Sequence, residues 1–414
     1  MTLPVSANTL AFYRRTEGVQ AEVRFIVPQP TSIIAMTPNV QPALWPDFEH
    51  TGPGTLAGRY LRSFWQPVYL SASLARGRAK PLKVFGEQFT IYRGEDGVAR
   101  VVADRCLHRG TVLWTGTVEG AAIRCLYHGW KYNAGGQCVE RPAERATPGH
   151  LQIRTYPTRE WAGLVFCYLG EGEAPELPVL DTLSGDGELF VTAPMRPFNY
   201  FNQLENGLDE VHFNFVHRVS RFAAQGMNSE IPQLACEETE YGLSRSSTRS
   251  GVVRRNHFLM PNANSAILFG ATRLVWRTPI DDHSHYSFTV DYFEGTAEQK
   301  RQWRAEQEKQ LALITEAQPA AQVAAAILRG EITLDDVVDH PDLLSVQDGV
   351  ALAGQGVIAN RQTEVLGQSD HQIVQMRRLW VEDMAAIAEG RPRRQWKWPR
   401  HLEMTTGLQQ EQTA

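Results

Sequence analysis

From Tyr60 to Gly170 apolar and polar positions alternate over short runs that end in turn-forming residues. K-V-F-G-E-Q-F-T-I-Y, V-A-R-V-V-A-D and G-L-V-F-C-Y-L-G read as strands, and N-A-G-G-Q at 133–137 supplies the Gly pair of a tight hairpin. The pattern predicts a small all-β unit over residues 60–170. A Pro- and Gly-bearing stretch, L-G-E-G-E-A-P-E-L-P, follows as a linker near residues 170–178.

Beyond the linker the period lengthens. Leu204, Leu208, Val211 and Phe215 recur at helical spacing and predict an amphipathic helix from about Phe201 to Val216. Strands dominate from Cys236 to Phe293, with L-V-W-R and Y-S-F-T-V-D-Y the clearest. Helices are predicted over 296–315, over an Ala-rich 319–329, and from Asp370 to Glu389, where Gly390 ends the last. The order gives an α+β chain: a small all-β domain, then an α+β domain over residues 175–400 whose antiparallel sheet is flanked by helices.

A chain of 414 residues exceeds one hydrophobic core, which agrees with two folded units. No stretch approaches 18 consecutive apolar residues, so no membrane span is expected. The net charge of −5 offers no attraction to a polyanion. The basic run Arg391, Arg393, Arg394, Lys397 and Arg400 reads as a solvated face, with no nucleic-acid partner expected. In the first 45 residues no basic segment leads into an apolar core and a small-residue cleavage site. They are expected to be an unstructured leader, with Met36 opening the segment that enters the folded region, and the location is expected to be cytoplasmic. Five cysteines form no even framework, which fits a reducing compartment and turns attention to metal binding.

D-R-C-L-H-R-G places Cys106 and His108 two apart, and R-C-L-Y-H-G-W places Cys125 and His128 three apart, with sixteen residues between the pairs. Each loop offers one thiolate and one imidazole. A Rieske [2Fe-2S] centre takes two Cys on one iron and two His on the other. Tetrahedral zinc also accepts two Cys and two His, although C-x-H is an unusual spacing for it and the setting is β-rich. A buried Cys and a satisfied His in each loop is the plain structural alternative.

Downstream, Glu205, Asp209, His212 and Val216 fall at offsets of four, three and four and share one face of the expected helix. His217 cannot share that face, so the helix must end or bend near Val216 if both imidazoles are to reach one ion. Two His and one carboxylate form the open-sided triad suited to non-haem Fe(II); zinc hydrolysis uses similar ligands, and incidental surface histidines would look the same. Asp339, Asp342, Asp348 and Asp370 are candidate third ligands. Leu344, Asp348 and Leu352 recur every four residues, which sets Asp348 on an apolar stripe where an unpaired carboxylate is costly and a metal would satisfy it. Asp339 and Asp342 flank Pro341 as loop acids, and Asp370 reads as a helix N-cap. Asp281, Asp282, His283 and His285 lie between two strands and read as a turn capped by Asp side chains. Cys138, Cys167 and Cys236 read as buried structural thiols.

In these motifs the chain resembles the Rieske non-haem iron oxygenases. Their Rieske domain carries C-x-H, fifteen to seventeen residues, then C-x-x-H, and the likeness runs on through H-R-G, Y-H-G-W and Y-N-A-G-G-Q-C. Leu107 stands where Pro is usual, a change to loop stiffness and not to a ligand. The family's second domain carries N-x-x-D-x-x-H-x-x-x-x-H, matched by Asn206, Asp209, His212 and His217. Asp348, in its Q-D pair, resembles the third ligand of phthalate-type and O-demethylating members. The likeness spans roughly residues 45–390, from T-G-P-G-T-L-A-G-R-Y-L-R onward.

The resemblance implies a terminal oxygenase alpha subunit with one [2Fe-2S] cluster at Cys106, His108, Cys125 and His128 and one mononuclear Fe(II) at His212, His217 and Asp348. It implies head-to-tail homotrimers in which Asp209 bridges His212 to His128 of the partner subunit. A separate reductase or ferredoxin would pass on electrons from NADH or NADPH, and a small aromatic substrate would react with O2. No G-x-G-x-x-G fingerprint follows a strand, so nicotinamide is not expected to bind directly. Monooxygenation or O-demethylation is the first expectation and ring cis-dihydroxylation the second. A Rieske electron carrier without the second metal and a zinc-stabilised binding protein are the readings from other classes. F-L-M-P-N-A-N-S-A-I-L-F-G is expected to help line the substrate pocket.

Overall fold

The computed structural model describes residues 45–145, 149–224 and 226–405; the expected leader lies outside them except for Trp45. Most period-two segments become strands as the pattern predicts, but K-V-F-G-E-Q-F-T-I-Y is a hairpin: it turns at Phe85–Gly86, both with positive φ, between two antiparallel strands. Three small antiparallel sheets occupy the first half. Arg78–Val84, Glu87–Arg93, Ala99–Ala103 and Thr155–Tyr156 make one, and Thr117–Glu119, Ala122–Arg124, Lys131–Tyr132 and Cys138–Glu140 make a second. Tyr92, Val102, Leu113, Ile123 and Tyr132 are buried together between them. The third consists of Trp65–Leu70, Leu164–Tyr168 and Thr158–Trp161.

The second half holds an eight-stranded antiparallel sheet. Its order is Glu188–Thr192, Ser284–Phe293, Ala271–Asp281, Ala263–Leu268, Val252–Leu259, Gly242–Arg249 and Gln233–Glu238, with Met195–Arg196 also paired to Ser284–Phe293. From Gln233 to Phe293 each strand pairs with the next in sequence, so short turns suffice. One is the acid- and His-rich turn: Asp281 accepts hydrogen bonds from the His283 N–H and the Ser284 hydroxyl, while His285 is buried on the following strand. Hydrogen bonds from the Phe85 and Gly86 N–H groups to the Pro279 and Ile280 carbonyls fasten the first half to this sheet.

Eight α-helices lie among the described residues: α1 (Leu56–Arg62), α2 (Tyr200–Asn206), α3 (His212–Phe215), α4 (Arg221–Ala224), α5 (Ala297–Glu316), α6 (Ala320–Leu328), α7 (Leu343–Gly354) and α8 (His371–Ala388). No single helix among the described residues is long and apolar enough to cross a membrane. α5 opens on a capping box between Thr296 and Gln299. Asp370 stands at the N-cap position of α8, but its carboxylate turns back to the Gly367 N–H and caps nothing in the helix. Asp342, expected in a loop, stands at the N-terminus of α7.

The largest correction concerns the helix expected from Phe201 to Val216. It is two helices, α2 and α3, separated at Gly207–Val211. Gly207 packs so closely on the adjacent sheet strand that a Cβ there would come 2.6 Å from Asn264 Nδ2. The Asp209 carboxylate then accepts from the Val211 and His212 N–H groups at 2.7 and 3.2 Å and starts a new turn. Glu205, Asp209, His212 and Val216 therefore do not share one helical face, and Phe215, expected inside, is 60% exposed. The expected end near Val216 is present: α3 stops at Phe215 with Val216 as its C-cap, so His217 lies beyond the helix and its ring comes 5.1 Å from that of His212.

α2 is held by a buried ionic network. Glu205 accepts from Arg361 at 2.7 Å and Arg377 at 2.6 Å, while Arg361 reaches Glu49 and Arg377 reaches Glu364. Phe48, Tyr60 and Leu61 pack in the same core as Phe201, Leu204 and Trp380. The C-terminal basic run is also spoken for: Arg393 lies over the Phe64 ring at 3.6 Å, and Arg394 pairs with Glu238. Cys138 and Cys167 are buried as expected, but Cys236 is only half-buried on its sheet-edge strand.

Candidate metal centres and the cavity beneath the sheet

The two Cys/His loops are one turn built twice. Cys106 N–H donates to the Thr111 carbonyl and Cys125 N–H to the Trp130 carbonyl, each five residues on. The Gly110 and Gly129 N–H groups return to the Cys106 and Cys125 carbonyls at 2.9 and 3.1 Å. Both glycines have positive φ, 74° and 71°, a conformation that side chains rarely tolerate. The residue before each cysteine, Arg105 or Arg124, clamps its loop by donating to the Gly110 or Gly129 carbonyl. R-C-L-H-R-G and R-C-L-Y-H-G thus encode the same device, and the two arginines could have been read from that repetition.

Cys106 and Cys125 are each 3% exposed, whereas His108 is exposed and His128 partly so. Burial, with Cys106 alongside, pushes the Cys125 thiol up. The His108 and His128 rings meet edge to face at 4.4 Å between centroids, and His108 stacks on Trp130 at 4.8 Å. Thiols pair inside and imidazoles pair at the tip, the division a [2Fe-2S] centre with two Cys on one iron and two His on the other requires. A single zinc ion would need its donors roughly 3 to 4 Å apart. Among the described residues Cys106, His108, Cys125 and His128 do not meet on one point in that way. Tyr132 adds a contact the spacing did not reveal: its hydroxyl lies 3.1 Å from Cys106 Sγ and accepts from the Leu107 N–H.

His212, His217 and Asp348 do meet. One donor atom from each lies within 4.8 Å of the others, the sole such His/Cys/Asp/Glu group among the described residues. His217 Nε2 is 3.2 Å from Asp348 Oδ1. Each imidazole is fixed from behind: His212 Nδ1 donates to the Asp209 carbonyl at 2.7 Å and His217 Nδ1 to Gln347 Oε1 at 2.8 Å. With Nδ1 of each ring donating backwards, both Nε2 atoms point to the common centre, where a cation would take the place of the proton that His217 Nε2 shares with Asp348. Burial works against charge on His217, but Asp348 outweighs it and raises the pKa. Burial likewise opposes ionisation of Asp348, and His217 holds its pKa below the usual carboxylate range. A divalent cation would replace that attraction. Asn206 Nδ2 reaches Asp348 Oδ1 at 3.4 Å. Asp209 Oδ2 stands 3.9 Å from His212 Nδ1, its other oxygen engaged in the cap. Asp339 and Asp370 do not join the group.

The three residues open into a cavity of about 580 Å³ between the sheet and α5 and α7. Asn264, Ala266 and Leu268 line one wall, so the apolar, Asn-punctuated stretch contributes every second residue. Several lining residues escaped the sequence reading. Glu210 is buried beside Arg249 and Arg254, and after burial it is their charge and that of Arg245 that hold its pKa low. Both amide atoms of Asn264 are buried without a partner, and the same is true of Nε in Arg196 and in Arg277. Period-two spacing in A-T-R-L-V-W-R-T-P-I-D puts Arg273 and Arg277 on one face, a signal that was available.

Comparison with known proteins places the same features in context. Residues 64–157 match the model of the Rieske [2Fe-2S] domain. The 5,5'-dehydrodivanillate O-demethylase oxygenase subunit of Sphingobium sp. (strain NBRC 103272 / SYK-6) is 29% identical over 82% of this chain and 79% of its own. The phthalate 4,5-dioxygenase oxygenase subunit of Pseudomonas putida is 28% identical over 80% of this chain and 83% of its own. Among solved structures, the reduced complex between oxygenase and ferredoxin in carbazole 1,9a-dioxygenase aligns with a TM-score of 0.57. It is 21% identical and covers 81% of this chain and 96% of that one, a likeness of fold.

Proposed function

The chain is a Rieske non-haem iron oxygenase alpha subunit, the terminal oxygenase of a multicomponent aromatic oxygenase system, and from that premise we propose that it monooxygenates or O-demethylates a small aromatic substrate. O2 is the oxidant, and a separate reductase or ferredoxin supplies the electrons. The observation that carries the reading is the convergence of His212, His217 and Asp348 in the wall of a substrate-sized cavity.

Cys106 and Cys125 would take one iron of the cluster and His108 and His128 the other, while His212, His217 and Asp348 would hold a mononuclear Fe(II). When bound, the cluster delivers single electrons and the mononuclear iron activates dioxygen. Gln347 and the Asp209 carbonyl hold the imidazoles in the ligating tautomer, and Asn206 steadies Asp348. In a head-to-tail homotrimer Asp209, whose main-chain carbonyl already accepts from His212 Nδ1, would reach His128 of the partner subunit with its free carboxylate oxygen and give electrons a path between the two imidazoles. The solvent-facing imidazoles support this, since a partner or a ferredoxin can approach them.

Iron and acid-labile sulfide analysis tests the assignment. About three irons and two sulfides per chain are expected. His212→Ala should lower iron to about two, keep the cluster spectrum and end turnover. Two irons in the unsubstituted protein would leave an electron carrier, and zinc without sulfide would remove the reading. Ring cis-dihydroxylation is the second reading, favoured by the near-equal similarity to the phthalate 4,5-dioxygenase subunit. Product analysis separates them: formaldehyde from methoxyarenes marks demethylation, and a cis-diol marks the dioxygenase.

A further inference from the structure

Arg273 and Arg277 lie four residues apart on one strand and both line the cavity. The next strand places Asp291 directly opposite Arg273 and Ser287 directly opposite Arg277. Arg273 is accordingly satisfied, with two hydrogen bonds to Asp291 at 2.7 and 2.8 Å. Arg277 has no such partner. Among the described residues neither its guanidinium nor that of Arg196 makes a hydrogen bond or ion pair, and the Nε of each is buried without a partner. The Ser287 hydroxyl is turned to Gln203. Arg196 lines the same cavity, paired with His285 two residues from the Ser287 that faces Arg277. Burial, and then the like charge of Arg196, pull the Arg277 pKa down to about 9.

The remaining acids of the cavity are committed elsewhere. Asp291 belongs to Arg273, and Glu210 to Arg249 and Arg254. Asp348 is near enough to be felt by both Arg196 and Arg277, but it is bonded to His217. A divalent cation on Asp348 would leave the two arginines facing a positive centre. Paired, partly desolvated guanidinium groups without a counter-ion favour an anionic ligand, and their planar forks match a carboxylate.

We propose that Arg196 and Arg277 form an anion subsite that seats the carboxylate of the substrate, making these two residues the determinants that select an aromatic acid over its neutral analogue. The proposal rests on the oxygenase reading above. It assigns no role in bond making; the pair orients the ring by holding one end of it.

The test is anaerobic calorimetric titration of the iron-loaded protein with matched probes, benzoate against benzamide and 3-methoxybenzoate against 3-methoxybenzamide. Each acid is expected to bind about tenfold or more tightly than its amide. Arg277→Gln should bring the two to near parity, and Arg277→Lys should restore part of the preference by restoring charge. Should Arg277→Gln fail to fold, Arg196→Gln, on the short Met195–Arg196 strand, reads the same subsite. Equal binding of acid and amide, no binding of either acid, or a preference that survives both Gln substitutions overturns the proposal. Metal analysis of the same samples keeps the two failures apart. Three irons with no acid preference removes the subsite alone, and acid preference without the mononuclear iron removes the oxygenase reading alone.

Discussion

His217 Nδ1 donates to Gln347 Oε1 at 2.8 Å, and that bond aims Nε2 at Asp348, the residue next to Gln347 in the chain. α7 therefore supplies both the acid and the group that orients the buried imidazole. Gln347→Leu keeps the volume and removes the acceptor. Affinity for the mononuclear iron should fall 10- to 100-fold with helix content unchanged, measured by competition with a chelator. Unaltered affinity would assign Gln347 to packing alone.

Tyr132 offers a handle on the cluster end. A hydroxyl donated to a ligating sulfur stabilises the more negative, reduced cluster. Tyr132→Phe should lower its reduction potential by roughly 50 mV, the equivalent of about one hydrogen bond in a one-electron couple. A redox titration followed by EPR reads the shift directly.

Asp209 combines two roles that one substitution can separate. Asn also serves as a helix cap, so Asp209→Asn should preserve α3 and iron content while removing the charge beside His212. Cluster reoxidation in a single turnover should slow at least about tenfold. Unchanged kinetics would rule out the bridge between subunits.

Gly207 makes a sign test of the break between α2 and α3. Its backbone is in the right-handed helical region, where Ala is usually preferred by about 1 kcal/mol. A Cβ there would nonetheless meet Asn264, so Gly207→Ala should destabilise by about 1–3 kcal/mol. Gly207→Ala combined with Asn264→Ala should recover much of the loss in denaturant titrations.

His285 governs part of the acid response. Burial, then the charge of Arg277, lowers its pKa to about 3. The folded chain thus keeps it neutral, while the unfolded chain takes up a proton below pH ~6.5. Stability from this group is complete above that pH and declines as pH falls towards 3, by about 2 kcal/mol at pH 5. His285→Gln should flatten that slope in reversible unfolding measured between pH 7 and 5.

The sequence made the candidate sites legible where the residues proposed as ligands sit close together in the chain. The spacing of Cys106, His108, Cys125 and His128 is local, and the loops that hold them close through bonds within five residues. His212 and His217 were legible as a pair for the same reason. The helix end near Val216 that their convergence needs was legible too, but the break ahead of His212 was not, because apolar spacing at Leu204, Leu208, Val211 and Phe215 suggested one helix. The close contact of Gly207 with Asn264, nearly sixty residues on, is tertiary and leaves no local trace. Asp348 was found through its apolar neighbours, but Gln347 behind His217 was not, since an amide carries no periodic signal. Spacing alone sets Arg273 and Arg277 on one face, but what distinguishes Arg277 from Arg273 is the residue each faces, and that is known only once the opposite strand is in register.

The Glu205 network also bears on how this protein can be taken apart. Glu49, Phe48 and α1 precede the Cys/His region in the chain yet pack against α2 and α8, which follow it. Topologically the cluster-bearing part is an insert whose two ends return to the same foundation. A chimaera made by a single cut at the linker would strip Glu49 from Arg361 and leave a buried guanidinium short of an acid, a loss on the scale of several kcal/mol. Exchange of electron-transfer modules between relatives accordingly needs two junctions, one after α1 and one before the linker, so that residues 45–63 stay with the half they support.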